Sequence, residues 1–294
     1  MEDNMKKVAM LTLALVFVSA AVFGQSGKGM KVFISVDMEG LTGLSHWEET
    51  SRDGKDYEMF RKIMTNETNA AVEGAFAAGA SDVIVRDSHG SARNILPEML
   101  NKKAKLLRNW SGGPKMMMDA IDESFNAVVL VGYHAKAGTP DASLEHTMSG
   151  NVTDISINGV SLPEAGVNAL IAGMFNVPVV CVAGDKALCE HVKKLLGEVE
   201  TVAVKEGLGD ATLGFHPEVS CEMIKAGVEK ALRNLGKFKP YKLAAPYTMV
   251  LKLKNEESVY NAQFYPGAKR TGDWELTYTS NNLMDVIEAF NKMR

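Results

Sequence analysis

The feature that most constrains this 294-residue chain is that three strand-like apolar runs each end at residues able to bind a metal. VFISVDMEG ends with Asp37 and Glu39, DVIVRDSHG with His89, and AVVLVGYHA with His134. In an open parallel sheet, ligands collect beyond the carboxyl ends of the strands, so these distant side chains are expected to converge. Carboxylates and imidazoles suit zinc or a similar divalent ion, and the pattern predicts a metal-dependent hydrolase.

The first half of the chain alternates strand-like and helix-like segments. Apolar residues recur at helical spacing from Tyr57 to Ala78, between the strands KVFISVDMEG and SDVIVRDSHG. A helix between two strands makes the strands parallel. The order continues through the strand-like AKLLRNW, the helix-like PKMMMDAID and the strand NAVVLVGYHA. We therefore predict an α/β fold with a mostly parallel sheet flanked by helices.

The second half of the chain has a different pattern of strands and helices. Asn158 and Gly159 separate two short strands, and this dipeptide favours the turn of a β-hairpin. We predict helices over Glu164–Phe175, Lys186–Leu196 and Glu218–Leu235, and a strand at VPVVCVAGD. TMVLKLK, ELTYT and a final helix follow. These segments predict an α/β metal-binding domain over residues 25–215 and a smaller C-terminal α+β domain over residues 216–294.

Residues 1–24 have the pattern of a signal peptide. Lys6 and Lys7 precede an apolar run from Val8 to Phe23, and Gly24 offers a small residue at the cleavage point. The run is too short for a confident membrane span, which needs about 20 apolar residues. The pattern predicts an exported protein, periplasmic or secreted, with no stable membrane span after cleavage. An uncleaved anchor and a true start at Met5 are the alternatives.

Charge and cysteine content limit the partners. The net charge is −4, and removal of the leader leaves it at −4 because the leader holds two charges of each sign. A mildly acidic chain lacks the basic field that nucleic-acid binding requires, so no nucleic-acid partner is expected. Three scattered cysteines, Cys181, Cys189 and Cys221, form neither a disulfide framework nor a structural zinc motif.

The acid pair has two interpretations. If the strand continues, Asp37 and Glu39 share one face, and their crowded charges favour a bound cation. If the strand ends before Glu39, both acids are solvated in a loop. His89 and His134 occupy matching places after their strands, and Asp87 either orients an imidazole or shapes a turn.

A further histidine, His146, follows the Gly/Pro-rich loop AGTPDAS, which is typical of a site rather than a core. It is either exposed and idle, or a proton donor or stabiliser of charge near the metal. The other three histidines, His46, His191 and His216, are predicted to be surface residues.

The segments SVDMEG, DSH, GYHA, HTM and PEAGVNA, in this order, resemble the zinc-dependent D-aminopeptidase family, peptidase family M55. The likeness runs from about Lys31 to Asp185 and more weakly beyond. It implies a pair of zinc ions per subunit, a catalytic role for His146, and a weaker role for Asn168 at the substrate or behind the ligands. The implied zinc ligands are Asp37, Glu39, His89, His134 and Glu164.

The resemblance also implies a two-domain α/β fold, a ring-like homo-oligomer, and hydrolysis of short peptides with an N-terminal D-amino acid such as D-Ala. Glu145 before the histidine and the leader depart from the family pattern. Two alternatives remain at this point. One is another metal-dependent hydrolase, an amidase or phosphoesterase. The other is an exported solute-binding protein without turnover.

Overall fold

The computed structural model describes residues 29–294, so the predicted signal peptide at residues 1–24 lies outside the described residues. The larger sheet comprises β1 Met30–Val36, β2 Ala80–Asp87, β3 Lys105–Leu107, β4 Ala127–Tyr133, β7 Val179–Asp185, β8 Glu200–Leu208 and β9 Ala211–Gly214. The strand order is β3-β2-β1-β4-β7-β8-β9. All neighbours run parallel except β8 and β9. The predicted mostly parallel α/β fold is confirmed.

The smaller sheet is antiparallel. It comprises β5 Val152–Ile157, β6 Val160–Ser161, β10 Tyr247–Leu253, β11 Lys269–Arg270 and β12 Glu275–Ser280, in the order β11-β12-β10-β5-β6. Asn158 and Gly159 both adopt positive φ, and the predicted hairpin between β5 and β6 is confirmed. This sheet takes strands from both sides of residue 215, and the predicted domain division there stays a prediction.

The helices cover both faces of the larger sheet. They are α1 Tyr57–Ala77, α2 Glu164–Met174, α3 Lys186–Leu196, α4 Pro217–Arg233, α5 Glu256–Ala262 and α6 Leu283–Met293. Successive β1 side chains alternate: Val32 and Ile34 pack in the core with α1 and α4, whereas Phe33 packs in the core with α2, α3 and the smaller sheet. Burying each such side chain stabilises the fold by roughly 1.5–3 kcal/mol.

Two local predictions differ from the structure. The segment PKMMMDAID is wrong as a helix: it forms only a 3₁₀ turn over Met116–Met118. Met116 has a φ of +50°, in the left-handed region, which a right-handed helix cannot contain. The strands β8 and β9 were not predicted, although the buried Val202 and Val204 alternate with more exposed residues along β8.

The sheet order defines where a site can form. The chain proceeds outward from β1 to β2 and β3 on one side, and β4 begins the other side. This reversal leaves a crevice beyond the carboxyl ends of β1 and β4. Two glycines allow the ends of β1 and β4 to come close. A Cβ at Gly40 would overlap the Tyr133 carbonyl. Gly132 has a φ of +69°, and a Cβ there would overlap the Asp37 carbonyl. Neither position accommodates a larger residue, so the two strand ends can come close.

Candidate metal centre and active site

Side chains from five segments converge at this crevice, and all but His134 line a cleft of about 330 Å³. Asp37 and Glu39 follow β1, His89 follows β2, His134 follows β4, His146 lies in the loop before β5, and Glu164 is the first residue of α2. All of them are buried except His146, which is partly exposed. The structure thus brings together every residue that the sequence analysis assigned to the site.

The acid pair lies in a turn, because β1 ends at Val36. The solvated alternative is nevertheless wrong, since Asp37 and Glu39 are each only 3% exposed. The Asp37 N–H donates to the Val131 carbonyl at 2.8 Å, and the buried Lys205 ammonium donates to the Glu39 carbonyl. Backbone anchoring therefore replaces strand geometry in aligning the two carboxylates.

Two groups of three ligand atoms share Asp37. His89 Nδ1 lies 3.3 Å from Asp37 Oδ1 and 3.1 Å from Glu39 Oε2. His134 Nε2 lies 3.4 Å from Asp37 Oδ2 and 3.4 Å from Glu164 Oε1. Within each group the ligand atoms are within 4.8 Å of one another. A carboxylate shared between two such groups has the arrangement of a bridging ligand.

The outer nitrogen of each imidazole is committed to a backbone carbonyl. His89 Nε2 donates to the Thr50 carbonyl at 3.1 Å, and His134 Nδ1 donates to the Ala135 carbonyl at 2.9 Å. A carbonyl only accepts, so the inner nitrogen of each neutral ring presents a lone pair to the carboxylates. Within the described chain, the buried His134 Nε2 has no hydrogen-bond partner. Facing lone pairs need a cation between them, and this donor set fits zinc.

The pKa shifts show the same need for positive charge. Burial opposes the charged ring of His89, but the Glu39 and Asp37 carboxylates raise its pKa well above the usual range. Burial likewise opposes charge on His134, and Glu164 and Asp37 raise its pKa. Burial, followed by the charge of Glu39, raises the pKa of Asp37. The cluster therefore attracts either protons or metal ions.

His146 borders the cluster on its open side. Its ring stacks on that of His134 with centroids 4.1 Å apart, and Trp47 packs edge-on at 5.2 Å. Its Nδ1 donates to the Leu144 carbonyl at 3.0 Å, which leaves Nε2 facing the cleft, 3.6 Å from Glu164 Oε1. His146 Nε2 is thus placed to exchange a proton with a bound molecule. One nitrogen of the His146 ring also lies within 4.8 Å of ligand atoms of Glu39 and His134, so the ring is close enough to share an ion with them.

Asp87 shapes a turn. Its carboxylate accepts from the backbone N–H groups of Asn94 and Ile95, and Asn94 donates to the His89 carbonyl. Asp87 therefore positions the backbone of His89 and does not contact the ring's ligand face.

Asn168 lies behind the ligands. It is fully buried, and its Nδ2 donates to the Tyr133 hydroxyl at 2.8 Å. That hydroxyl also bonds Ser35, on the strand that leads to Asp37. This arrangement favours a positioning role over substrate contact.

The polar residues that support the cleft from a distance were not predicted from the sequence. Thr50 accepts from His89, Lys205 fixes the Glu39 carbonyl, and Arg294 lines the cleft mouth. None of these residues belongs to a motif. Only Lys205, a charged residue within a run of alternating apolar residues, could have been noticed in the sequence. Of the histidines predicted at the surface, His46 and His216 are exposed and His191 is half-buried.

Nearly the whole described chain is similar to known peptidases. Residues 30–292 match the peptidase M55 family model, described as D-aminopeptidase. The chain is 33% identical over 266 residues to the D-aminopeptidase of Bacillus subtilis (strain 168), covering 88% of this chain and 95% of the relative.

The fold also matches a solved structure, described as the Zn-dependent D-aminopeptidase DppA from Bacillus subtilis, a self-compartmentalizing protease. The TM-score is 0.87 at 31% identity, and the match covers 90% of this chain and 96% of that one. A peptidase family decides against the solute-binding alternative. The chain is an enzyme and belongs to the peptidase M55 family of D-aminopeptidases.

Proposed function

We propose that this protein is a zinc-dependent aminopeptidase that removes an N-terminal D-amino acid, such as D-Ala, from short peptides. The observation that carries the proposal is the convergence of three carboxylates on imidazole nitrogens whose other ring nitrogens are already bonded to carbonyls. The relatives named D-aminopeptidase support the choice of substrate.

Two zinc ions per subunit would occupy the two groups that share Asp37. Asp37, Glu39 and His89 would hold one, and Asp37, His134 and Glu164 the other. When bound, zinc lowers the pKa of a water and polarises the scissile carbonyl. This donor set offers three protein ligands to each ion, as catalytic zinc sites do.

The chain's own residues supply orientation and protons. The amino end of the substrate would lie at the metal-binding end of the cleft, which brings its first peptide bond beside His146. His146, held by the Leu144 carbonyl through Nδ1, presents Nε2 to that bond. In its protonated form Nε2 donates to the developing negative oxygen or to the leaving amine. The stack on His134 and the edge contact with Trp47 keep this ring in place.

The test combines elemental analysis with assays on D-Ala- and L-Ala-p-nitroanilide before and after chelation. The proposal predicts bound zinc, cleavage of the D-substrate, loss on chelation and recovery with added zinc. Cleavage of neither substrate by zinc-loaded protein would overturn the substrate assignment. An amidase or phosphoesterase would instead cleave simple amides or p-nitrophenyl phosphate.

The leader and the assembly complete the proposal. Export would place the enzyme where short D-alanine-containing peptides from cell-wall turnover are its substrates; residues 1–24 lie outside the described part, and fractionation of cells tests it. No helix among residues 29–294 is long and apolar enough to cross a membrane. A ring-like homo-oligomer is proposed because the DppA structure is described as self-compartmentalizing, and light scattering measures its size.

A further inference from the structure

The charges lining the cleft are unevenly distributed. Among the described residues, four carboxylates line it, and Arg294 is the single lysine or arginine that does so. The carboxylates are Asp37, Glu39, Asp119 and Glu164. Zinc would neutralise the three carboxylates of the metal groups, and Asp119 faces Arg86 at 3.7 Å, so Arg294 is the cation that a substrate carboxylate would meet in the loaded cleft.

The Arg294 guanidinium is held in place but not saturated. Its Nη1 donates to the Met148 carbonyl at 3.1 Å, and its Nη2 donates to Asn291 Oδ1 at 3.1 Å. A guanidinium has five N–H donors, so three remain without a partner among the described residues. Such a fork binds a carboxylate through two parallel hydrogen bonds, which a lysine cannot reproduce.

Met148 connects Arg294 to the metal-binding end of the cleft. The Met148 N–H donates to Glu164 Oε1 at 2.6 Å, while its carbonyl accepts from Arg294. The guanidinium is thereby separated from the carboxylate cluster by a single residue. A ligand that touches both ends must therefore be short.

Resting on the proposed function, we infer that Arg294 binds the α-carboxylate of the peptide substrate and makes the enzyme selective for short peptides with a free carboxyl end. The first peptide bond of the substrate lies at the metal-binding end, and its carboxylate end meets the guanidinium. The cleft of about 330 Å³ lies at the low end of the roughly 300–1,000 Å³ common for ligand sites, in agreement with a short substrate.

The test compares kcat/KM for D-Ala-D-Ala with that for its C-terminal amide, using zinc-loaded wild type, Arg294→Met and Arg294→Lys. The wild type should prefer the free acid, and Arg294→Met should reduce that preference roughly 10- to 100-fold, the loss of a hydrogen bond to a charged group. Arg294→Lys should restore part of it. The matched control is Lys292→Met, which removes an exposed charge from α6 outside the cleft.

Two outcomes overturn the inference. One is equal kcat/KM for acid and amide in the wild type. The other is an equal loss on both substrates in Arg294→Met, which would mean that Arg294 only supports Met148 and Glu164. Zinc content, measured in each variant, identifies this structural outcome, because a displaced Glu164 lowers it.

Binding measurements separate this inference from the proposed function. Calorimetry with zinc-loaded His146→Ala, with and without Arg294→Met, measures the affinities for D-Ala-D-Ala and its amide without relying on turnover. Tighter binding of the acid that depends on Arg294 supports the inference even if the wild type cleaved no D-alanyl peptide. Equal affinities overturn it whatever the enzyme cleaves.

Discussion

Two hollows of the described chain differ in character. The metal cleft is the smaller, at about 330 Å³, and carboxylates and imidazoles line it. The second hollow, here called the α4 cavity, lies between β8, β9 and α4; it measures about 730 Å³, and Val202, Leu213, Phe215 and Met223 are among its apolar lining residues. The larger of the two has no histidine among its lining residues.

The difference lies in whether the charges are satisfied. At the α4 cavity, Lys186 pairs with Glu206 at 2.7 Å and Lys230 pairs with Glu200 at 2.9 Å, all near solvent. In the ligand cluster next to the metal cleft, His134 Nε2 is buried without a hydrogen-bond partner in the described chain. A buried polar atom without a partner costs about 1–3 kcal/mol, and this one lies 3.4 Å from both Asp37 Oδ2 and Glu164 Oε1, so a cation between the three atoms would satisfy them all. The metal cleft differs from the α4 cavity by a neighbouring buried ligand atom without a hydrogen-bond partner, and this difference, rather than volume, identifies it as the functional site.

The largest effect is expected from Asp37→Asn, since Asp37 belongs to both groups of ligand atoms. The variant should lose most of its zinc and at least roughly 10³-fold in kcat/KM, because metal catalysis supplies several kcal/mol. Elemental analysis and D-alanyl peptide assays measure both. Asp273→Asn, at an exposed position outside the cleft, is the control. Full zinc content in Asp37→Asn would contradict the shared-ligand role.

His146→Ala separates proton transfer from metal binding inside the same cleft. We expect kcat to fall roughly 10²- to 10⁴-fold, the usual contribution of an acid or base catalyst, while zinc stays bound. His191→Ala on α3 is the matched control. If zinc were lost together with activity, His146 would be a ligand, as its position near Glu39 and His134 also allows.

Glu67 tests a buried charge outside the cleft. Burial raises its pKa from 4.5 to about 7, although the Thr42 N–H and Lys205 favour the carboxylate. Because the folded state holds this proton more tightly, the free energy of unfolding should be highest below pH 4.5 and fall by about 3 kcal/mol as the pH rises to about 7. Urea unfolding of metal-free protein at pH 4.5 and 7.5 should show a smaller fall in Glu67→Gln. An identical fall in both proteins would place the titration elsewhere.

Lys205 joins the two hollows, because it lines the α4 cavity and donates to the Glu39 and Leu44 carbonyls. Lys205→Met should weaken zinc binding roughly 10- to 100-fold, as the loss of support behind a ligand does. Zinc titration against a chelator measures this change. Lys230→Met, which removes a charge from the α4 cavity alone, should change zinc affinity less than about twofold. Equal effects would give the α4 cavity a role in the site.

The sequence was sufficient for the strand ends that carry the ligands. The apolar runs of β1, β2 and β4 are local signals, and parallel strands end at one edge of the sheet. The sequence therefore predicted that Asp37, His89 and His134 lie close together. The hairpin at Asn158 and Gly159 was likewise a local signal. The strands β8 and β9 were not predicted. The sequence around Met116–Met118 has a helical pattern but forms only a turn, because tertiary burial of the methionines decides the backbone conformation there.

The supporting residues could not be predicted. Lys205 reaches Glu39 across 166 positions and Arg294 reaches Met148 across 146, and neither contact leaves a local pattern.

The amino-acid sequence by itself thus determined the fold class, the ligand types and their order along the chain, because strand periodicity and residue chemistry act over a few neighbouring positions. The tertiary structure alone decided that Asp37 is shared by two groups of ligand atoms, which ring nitrogen of each histidine faces the cleft, and that Arg294 lies at its mouth. These features depend on hydrogen bonds between segments far apart in the chain, and such bonds exist only once the sheet and its helices have packed.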